Sequence, residues 1–165
     1  MKTYNLNTFI GRLKCGKEAE LRFCEKLDEF EMSYIYWEVG KNCTPVENLI
    51  NGDVEIFFEN GKSFKVDVKA STNCTYRSAI NFEGDYFACG NKGNFELISS
   101  RVVKAYMQKA KESKNLVPFR SGDLGCNLRG IKPRKTFKLS KFIERIKNGQ
   151  VCWTKGRVNP KWTDW

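Results

Sequence analysis

The stretch GDVEIFFENGKSFKVDVKAS, residues 52–71, decides the fold because it contains two alternating strands separated by turn residues. Apolar and polar residues alternate on both sides of Asn60 and Gly61, which is typical of a β-hairpin. The first strand opens with Asp53, and the second carries Asp67 and Lys69 two positions apart. The pairing of these strands therefore determines whether the charged side chains are brought together.

The length of the loop sets that pairing. With a two-residue loop at Asn60, Val54 would face Asp67, and both faces of the hairpin would mix apolar with charged side chains. A three-residue loop, 59–61, instead makes Asp53 face Asp67 and separates the two kinds of residue. We therefore predict the three-residue loop, with its glycine in a left-handed conformation.

This register gives the hairpin one apolar and one charged face. The apolar face consists of Val54, Ile56, Phe64, Val66 and Val68, and the charged face consists of Asp53, Glu55, Lys65, Asp67 and Lys69. Directly opposed residues have Cβ atoms about 4.5–5.5 Å apart, so the two aspartates repel each other unless a cation lies nearby. Two interpretations follow. Either the lysines and water compensate the charge of a solvated face, or the aspartates bind Mg²⁺, which prefers oxygen ligands.

A third carboxylate comes from a helix predicted from about residue 12 or 14 to residue 30. Apolar residues recur there with helical spacing, and Glu20 shares their face because it lies three positions before Phe23 and seven before Leu27. Glu18 falls on a different side. A glutamate on an apolar face either reaches the edge of the core or is held by a partner such as a metal. The sequence leaves both interpretations open.

A helix glutamate, a strand aspartate and an Asp-x-Lys on the paired strand resemble the signature of the PD-(D/E)xK nuclease superfamily. The matching residues are Glu20 in GKEAELRFCEKL, Asp53 in NGDVEI, and Asp67 and Lys69 in FKVDVKAS. The order of helix, strand and hairpin is also similar, and the strand pair looks like those of Holliday-junction resolvases and of intron-encoded and phage endonucleases. Two positions depart from the pattern, since Gly52 replaces the proline and Asp67 stands where glutamate is commoner.

The resemblance implies a restriction-endonuclease-like α/β fold, with a mixed β-sheet flanked by helices, and a Mg²⁺-dependent endonuclease that hydrolyses DNA. It implies that Asp53 and Asp67 hold Mg²⁺, for which Mn²⁺ can substitute, and that Glu20 completes or orients the hydration shell of the ion. Lys69 would position the attacking water and stabilise charge on the phosphate. The oligomeric state stays open, with a homodimer as one option.

The composition limits the available chemistry. The 165 residues include no histidine, which excludes histidine-based catalysis and histidine ligation of a metal. The seven cysteines are scattered without a C-x-x-C pair, which predicts reduced thiols rather than a zinc site or a disulfide framework. We find neither a signal peptide nor an apolar run of membrane-spanning length, so we expect a cytoplasmic protein of a bacterium or phage-infected cell, without a membrane partner.

Charge is divided unevenly along the chain. Residues 1–100 contain 12 Lys and Arg against 15 Asp and Glu, whereas residues 101–165 contain 17 against 4. A basic half indicates a polyanionic partner, most often nucleic acid. We predict that DNA phosphates bind Arg129, Lys132, Arg134, Lys135, Lys138 and Lys141. Three tryptophans, Trp153, Trp162 and Trp165, either stack on bases or pack as part of a core.

The whole chain is predicted to form one nuclease-like domain, with a core of about residues 12–115 and a basic C-terminal extension of about 116–165. Further strands are predicted at 32–39, 85–89 and 94–99. Helices are predicted at 101–113, capped by Ser99 or Ser100, and at 141–148, capped by Ser140. Two other functions stay open: an inactive nuclease fold that binds nucleic acid, and a basic protein that binds an acidic protein.

Overall fold

The computed structural model describes residues 9–58, 62–91, 94–148, 151–154 and 157–160. The first half of the chain contains α1 (Phe9–Glu29), β1 (Ser33–Tyr36), α2 (Pro45–Asn51), β2 (Val54–Phe57), β3 (Ser63–Lys69), β4 (Asn73–Thr75) and α3 (Tyr76–Asn81). The second half contains β5 (Tyr86–Asn91), β6 (Asn94–Ser99), α4 (Ser100–Glu112), β7 (Val117–Pro118), β8 (Leu124–Asn127), β9 (Thr136–Lys138), α5 (Leu139–Lys147), β10 (Val151–Thr154) and β11 (Arg157–Pro160). Two short 3-10 turns, Leu128–Gly130 and Pro133–Lys135, precede β9.

In these ranges six strands form a mixed sheet in the order β1-β2-β3-β5-β6-β9. β3 and β5 pair in parallel, and the other neighbours pair antiparallel. A parallel pair needs a crossover connection, which here contains β4 and α3. The predicted α/β class, a mixed sheet flanked by helices, is confirmed. A second sheet has the order β4-β8-β7, and β10 pairs with β11.

The β2–β3 hairpin has the predicted register. Val54 pairs with Val66 and Glu55 with Lys65, and the Phe58 N–H donates to the Lys62 carbonyl over 2.9 Å. Three residues separate positions 58 and 62, as expected, although the loop 59–61 itself lies outside the described residues.

The sheet separates two apolar layers. On one side, α1 and α5 cover the predicted apolar face of the hairpin, whose five residues are all at most 5% exposed. Phe64 and Phe142 meet edge to face there, with ring centroids 5.1 Å apart. On the other side, α3 and α4 bury Phe82 and Met107 against β5 and β6. Each fully buried side chain of this size stabilises the fold by about 1.5–3 kcal/mol, so the core orients the sheet without help from a metal.

Residues after position 115 contribute to the main sheet and core. β9 pairs with β6, and α5 buries Leu139, Phe142 and Ile143.

The predicted helix caps were wrong in detail. Ser99 occupies the N-cap position of α4 but makes no capping bond, whereas the Ser100 hydroxyl donates to the Gly84 carbonyl over 2.7 Å. Ser140 lies inside α5, which begins at Leu139, and Asn148 is the C-cap, in agreement with the predicted end at residue 148.

The sequence analysis did not predict α2 or α3. Each has a threonine N-cap whose side chain accepts a backbone N–H, Thr44 for α2 and Thr75 for α3. No helix within the described ranges is long and apolar enough to cross a membrane.

Candidate functional site

Asp53 is positioned by the end of α2. The N-terminus of α2 carries a capping box of Thr44 and Glu47, with Pro45 in the first turn. The helix ends at Gly52, whose φ of +81° is left-handed and whose Cβ, if present, would lie 2.7 Å from the Val66 carbonyl oxygen. Proline requires φ near −65°, so this backbone cannot accept the proline of the nuclease signature. Glycine is the residue that permits both the turn and the close approach.

The Asp53 carboxyl is buried without a neighbouring cation in contact. It is 6% exposed, and its two oxygens accept hydrogen bonds from the Asn48 Nδ2 at 3.0 Å and the Val68 N–H at 2.8 Å. In the described part of the chain, no lysine or arginine forms an ion pair with it. Burial, and then the negative charges of Asp67 and Glu20, raise the pKa of Asp53 well above its usual range.

Asp67 and Lys69 lie together at the end of β3. The Lys69 Nζ is 2.9 Å from the Asp67 Oδ1, and it also donates to the Ser78 hydroxyl of α3 over 3.0 Å. It lies 5.9 Å from the centroid of the Phe87 ring. Burial alone lowers the pKa of Lys69, but the Asp67 carboxylate and other nearby anions outweigh burial and raise it. Lys69 is therefore a fixed cation beside a fixed carboxylate.

Glu20 reaches the same place from α1. Its Oε2 accepts the Tyr36 hydroxyl over 2.5 Å, and its carboxyl lies within hydrogen-bonding reach of Asp53. Burial raises the pKa of Glu20, and the bonds from Tyr36 and Asp53 offset part of that increase. Glu18 instead pairs with Arg22 on another side of α1, so the predicted helical phase is correct. The structure thus brings the four predicted site residues together.

A cavity of about 410 Å³ opens beside the site. Glu20 and Asp53 line it together with Trp37 of the β1 end, Asn48 of α2 and Ser121 of the turn between β7 and β8. Lys17 also lines it, but its Nζ is held by Glu38 at 2.5 Å. The cavity gives a small polar substrate group access to the carboxyl cluster.

The charges at this site suit a divalent cation. Three carboxyl groups and one lysine meet there, and Lys69 contacts only one of the three, Asp67. No group of three or more Cys, Asp or Glu side chains in the described ranges has the arrangement of a metal site. Mg²⁺, however, is usually held by one or two carboxylates and keeps several waters. Each oxygen of Asp53 and Asp67 retains a second lone pair, so these two residues fit that requirement.

Glu55, the other carboxylate on the charged face of the hairpin, lies apart from the cluster. Its Oε2 accepts the Ser63 hydroxyl over 2.6 Å, and it lines a different cavity, of about 100 Å³, with Asn51 and Lys65. The Lys65 Nζ is itself held by Asn51 at 2.9 Å. Neutral side chains therefore hold Glu55 and Lys65 at this end of the hairpin, away from the cluster.

Sequence reasoning missed three residues that hold the site: Tyr36, Asn48 and Ser78. The TPVE motif at residues 44–47 is a capping box with a proline, and it could have indicated α2 and hence the proximity of Asn48 to Asp53. Tyr36 and Ser78 have no comparable signal, because their contacts depend on how α1 and α3 pack against the sheet.

The predicted phosphate-binding residues lie on the segment around β9. Five of them, Arg129, Lys132, Arg134, Lys138 and Lys141, are exposed, and Lys135 is half-buried. None of the six is among the described residues that line the cavity beside Glu20. The side chain of Trp153 and the residues Trp162 and Trp165 lie outside what the structure describes.

No known protein-family model matches the chain, and no curated protein is significantly similar to it.

Proposed function

We propose that this protein is a Mg²⁺-dependent endonuclease that hydrolyses DNA phosphodiester bonds on a restriction-endonuclease-like core. The observation that carries the proposal is the convergence of Glu20, Asp53, Asp67 and Lys69 from three separate elements. Glu20 and Asp53 line the adjoining cavity, and Asp67 and Lys69 lie behind them. These four ionisable groups come from α1, the end of α2 and β3. The apolar core does not need any of them to form, so their meeting indicates a functional site. The order α1-β1-β2-β3, with β5 parallel to β3, supports the fold assignment.

Asp53 and Asp67 would hold Mg²⁺, with Glu20 orienting its hydration shell. Bound Mg²⁺ supplies a nucleophilic hydroxide at neutral pH and offsets charge on the phosphate. Lys69 keeps its ammonium group at a defined place, because Asp67 and Ser78 both bind it. It can therefore stabilise negative charge that develops on the phosphate without first reorganising. The raised pKa of Glu20 makes this carboxylate a stronger base toward a nearby water.

Cleavage of supercoiled plasmid, with Mg²⁺, with Mn²⁺ and with chelator, tests the proposal. Two pairs of variants are compared, and both members of each pair remove one negative charge with little change in side-chain size. The pairs are Glu20→Gln with Glu18→Gln, and Asp53→Asn with Glu55→Gln. We expect the first member of each pair to lose at least about 10²-fold in rate, the usual effect of removing one electrostatic catalytic group, and the second to retain activity. Chelator-resistant cleavage, or equal effects within each pair, would remove this cluster from the reaction.

A second candidate function is a nuclease fold that binds nucleic acid without cleaving it. It is favoured by the contacts of the cluster, since Lys69 neutralises Asp67 and hydrogen bonds satisfy both oxygens of Asp53. A thermal melt with added Mg²⁺ or Mn²⁺ separates the two candidates. An increase in Tm that Asp53→Asn abolishes supports the enzyme, whereas DNA binding with neither metal binding nor cleavage supports the binding module.

A further inference from the structure

A basic cleft lies between α4 and the two 3-10 turns that precede β9. Its volume is about 670 Å³, and its lining residues include Arg101 and Lys109 of α4 and Lys132 and Lys135 of the turns. No aspartate or glutamate is among the described residues that line it. We refer to these four residues and the space between them as the basic cleft.

No acidic side chain of the described residues compensates the cations of the basic cleft. None of the four forms an ion pair within the described ranges, whereas Lys17, Arg22 and Lys26 elsewhere each pair with a glutamate. Four like charges around a concave surface raise the local positive potential and attract anions. An ordinary solvated surface would intersperse the two signs of charge. The arrangement therefore favours binding of an anion from outside this part of the chain.

We propose that the basic cleft binds the sugar-phosphate backbone of DNA at a position separate from the catalytic cavity. This inference rests on the proposed function only in taking DNA as the polyanion. Two of its residues, Arg101 and Lys109, belong to α4 and are not among the six phosphate-binding residues predicted from the sequence.

The cleft offers contacts to phosphates rather than to bases. Its one aromatic residue, Tyr106, is half-buried, and Gly130 packs against it so closely that an added Cβ would lie 2.0 Å from the phenol oxygen. Gly130 thus covers the hydroxyl end of this ring, and the ring is only partly accessible. Arg and Lys contacts to phosphates fix the position of a nucleic acid and carry no sequence information.

The β7–β8 hairpin connects the basic cleft to the catalytic cavity. Cys126 of β8 lines the cleft, and Ser121 at the turn lines the cavity beside Glu20. Five residues of extended chain span at most about 17 Å. Nucleotides of one duplex strand advance about 3.4 Å each, so Ser121 and Cys126 lie at most about five nucleotides apart along a bound strand.

Binding of a random-sequence 20-base-pair DNA duplex in chelator, followed by fluorescence anisotropy at several salt concentrations, tests this inference. The test variant is Arg101→Gln with Lys109→Gln, and the matched control is Lys14→Gln with Lys62→Gln, which removes the same charge from exposed positions elsewhere. We expect the test variant to raise Kd about tenfold or more and to reduce the slope of log Kd against log salt by about two, while the control changes little.

If both variants weakened DNA binding equally, the inference would be overturned, because the loss of affinity would then come from the lower net charge and not from the basic cleft. Competition by poly-glutamate as strong as that by DNA would also overturn it, in favour of an acidic protein partner. Because the chelator prevents metal-dependent cleavage, the binding result does not depend on catalysis. A protein that binds DNA as expected but never cuts plasmid would refute the proposed function and support the inference about the basic cleft.

Discussion

The variant Asp53→Asn should stabilise the metal-free protein while abolishing its activity. The wild-type carboxyl is 6% exposed and has no ion-pair partner within the described ranges. Asparagine has the same shape and can still accept the Val68 N–H through its amide oxygen. The bond with Asn48 is the one that changes, because two amide nitrogens would otherwise face each other.

The magnitude follows from these opposing effects. Losing one hydrogen bond costs about 0.5–1.5 kcal/mol. Removing the ionisable group recovers about 1.4 kcal/mol for each pH unit by which folding raises the pKa of Asp53, provided the pH lies above that pKa. Because that pKa is raised well above its usual range, we expect a net gain in the free energy of unfolding. In a protein of 165 residues, 1 kcal/mol corresponds to about 2–4 °C in Tm.

Differential scanning fluorimetry at pH 8 in chelator measures the effect, with Asp67→Asn as the internal comparison. Asp67 touches Lys69 at 2.9 Å, so its replacement leaves a partly buried ammonium without that partner and should lower Tm. We therefore expect Asp53→Asn to raise Tm and Asp67→Asn to lower it. If Asp53→Asn lowered Tm as much as Asp67→Asn, the charge of Asp53 would be compensated in the folded protein and the reasoning would be refuted.

Three further predictions concern the surroundings of the site. Tyr36→Phe removes the hydroxyl that binds Glu20, so it should slow cleavage less than Glu20→Gln does and shift the pH dependence of the rate, as a pH–rate profile would show. Gly52→Ala should lower Tm by about 4 °C or more, since a left-handed alanine costs about 1–2 kcal/mol and its Cβ would meet the Val66 carbonyl. In chelator, the stability that protonated Asp53 contributes is fully present below its unfolded pKa. It is lost as pH rises through the raised folded pKa, so Tm should fall over that window in the wild type and stay flatter in Asp53→Asn.

The hairpin and the face of α1 could be predicted from sequence because both follow from simple periodicity. An alternating strand admits one register that keeps Val54 and Val66 on the apolar side, and a helix repeat places Glu20 but not Glu18 on the buried face. These local rules were sufficient to pair Asp53 with Asp67 and to select Glu20 over Glu18, whereas the meeting of Glu20 with the two aspartates was implied by the family resemblance.

The remaining features depend on long-range packing. β9 is only three residues long and pairs with β6, which lies some forty positions earlier in the chain, so no local pattern identifies it. The charge clusters were also beyond local reasoning. Arg101 and Lys109 belong to a different element from Lys132, and only the packing of α4 against the 3-10 turns brings them to one cleft.

The pairing of β9 with β6 has a consequence for the behaviour of incomplete chains. Until residue 138 has been synthesised, or if the chain is cut before residue 136, the backbone N–H and C=O groups along the outer edge of β6 have no partner. The exposed strand contains Phe95, Leu97 and Ile98, and an unpaired apolar edge is a template for strands of other molecules. Truncated protein should therefore aggregate, and a nascent chain depends on the last part of its sheet to avoid aggregation.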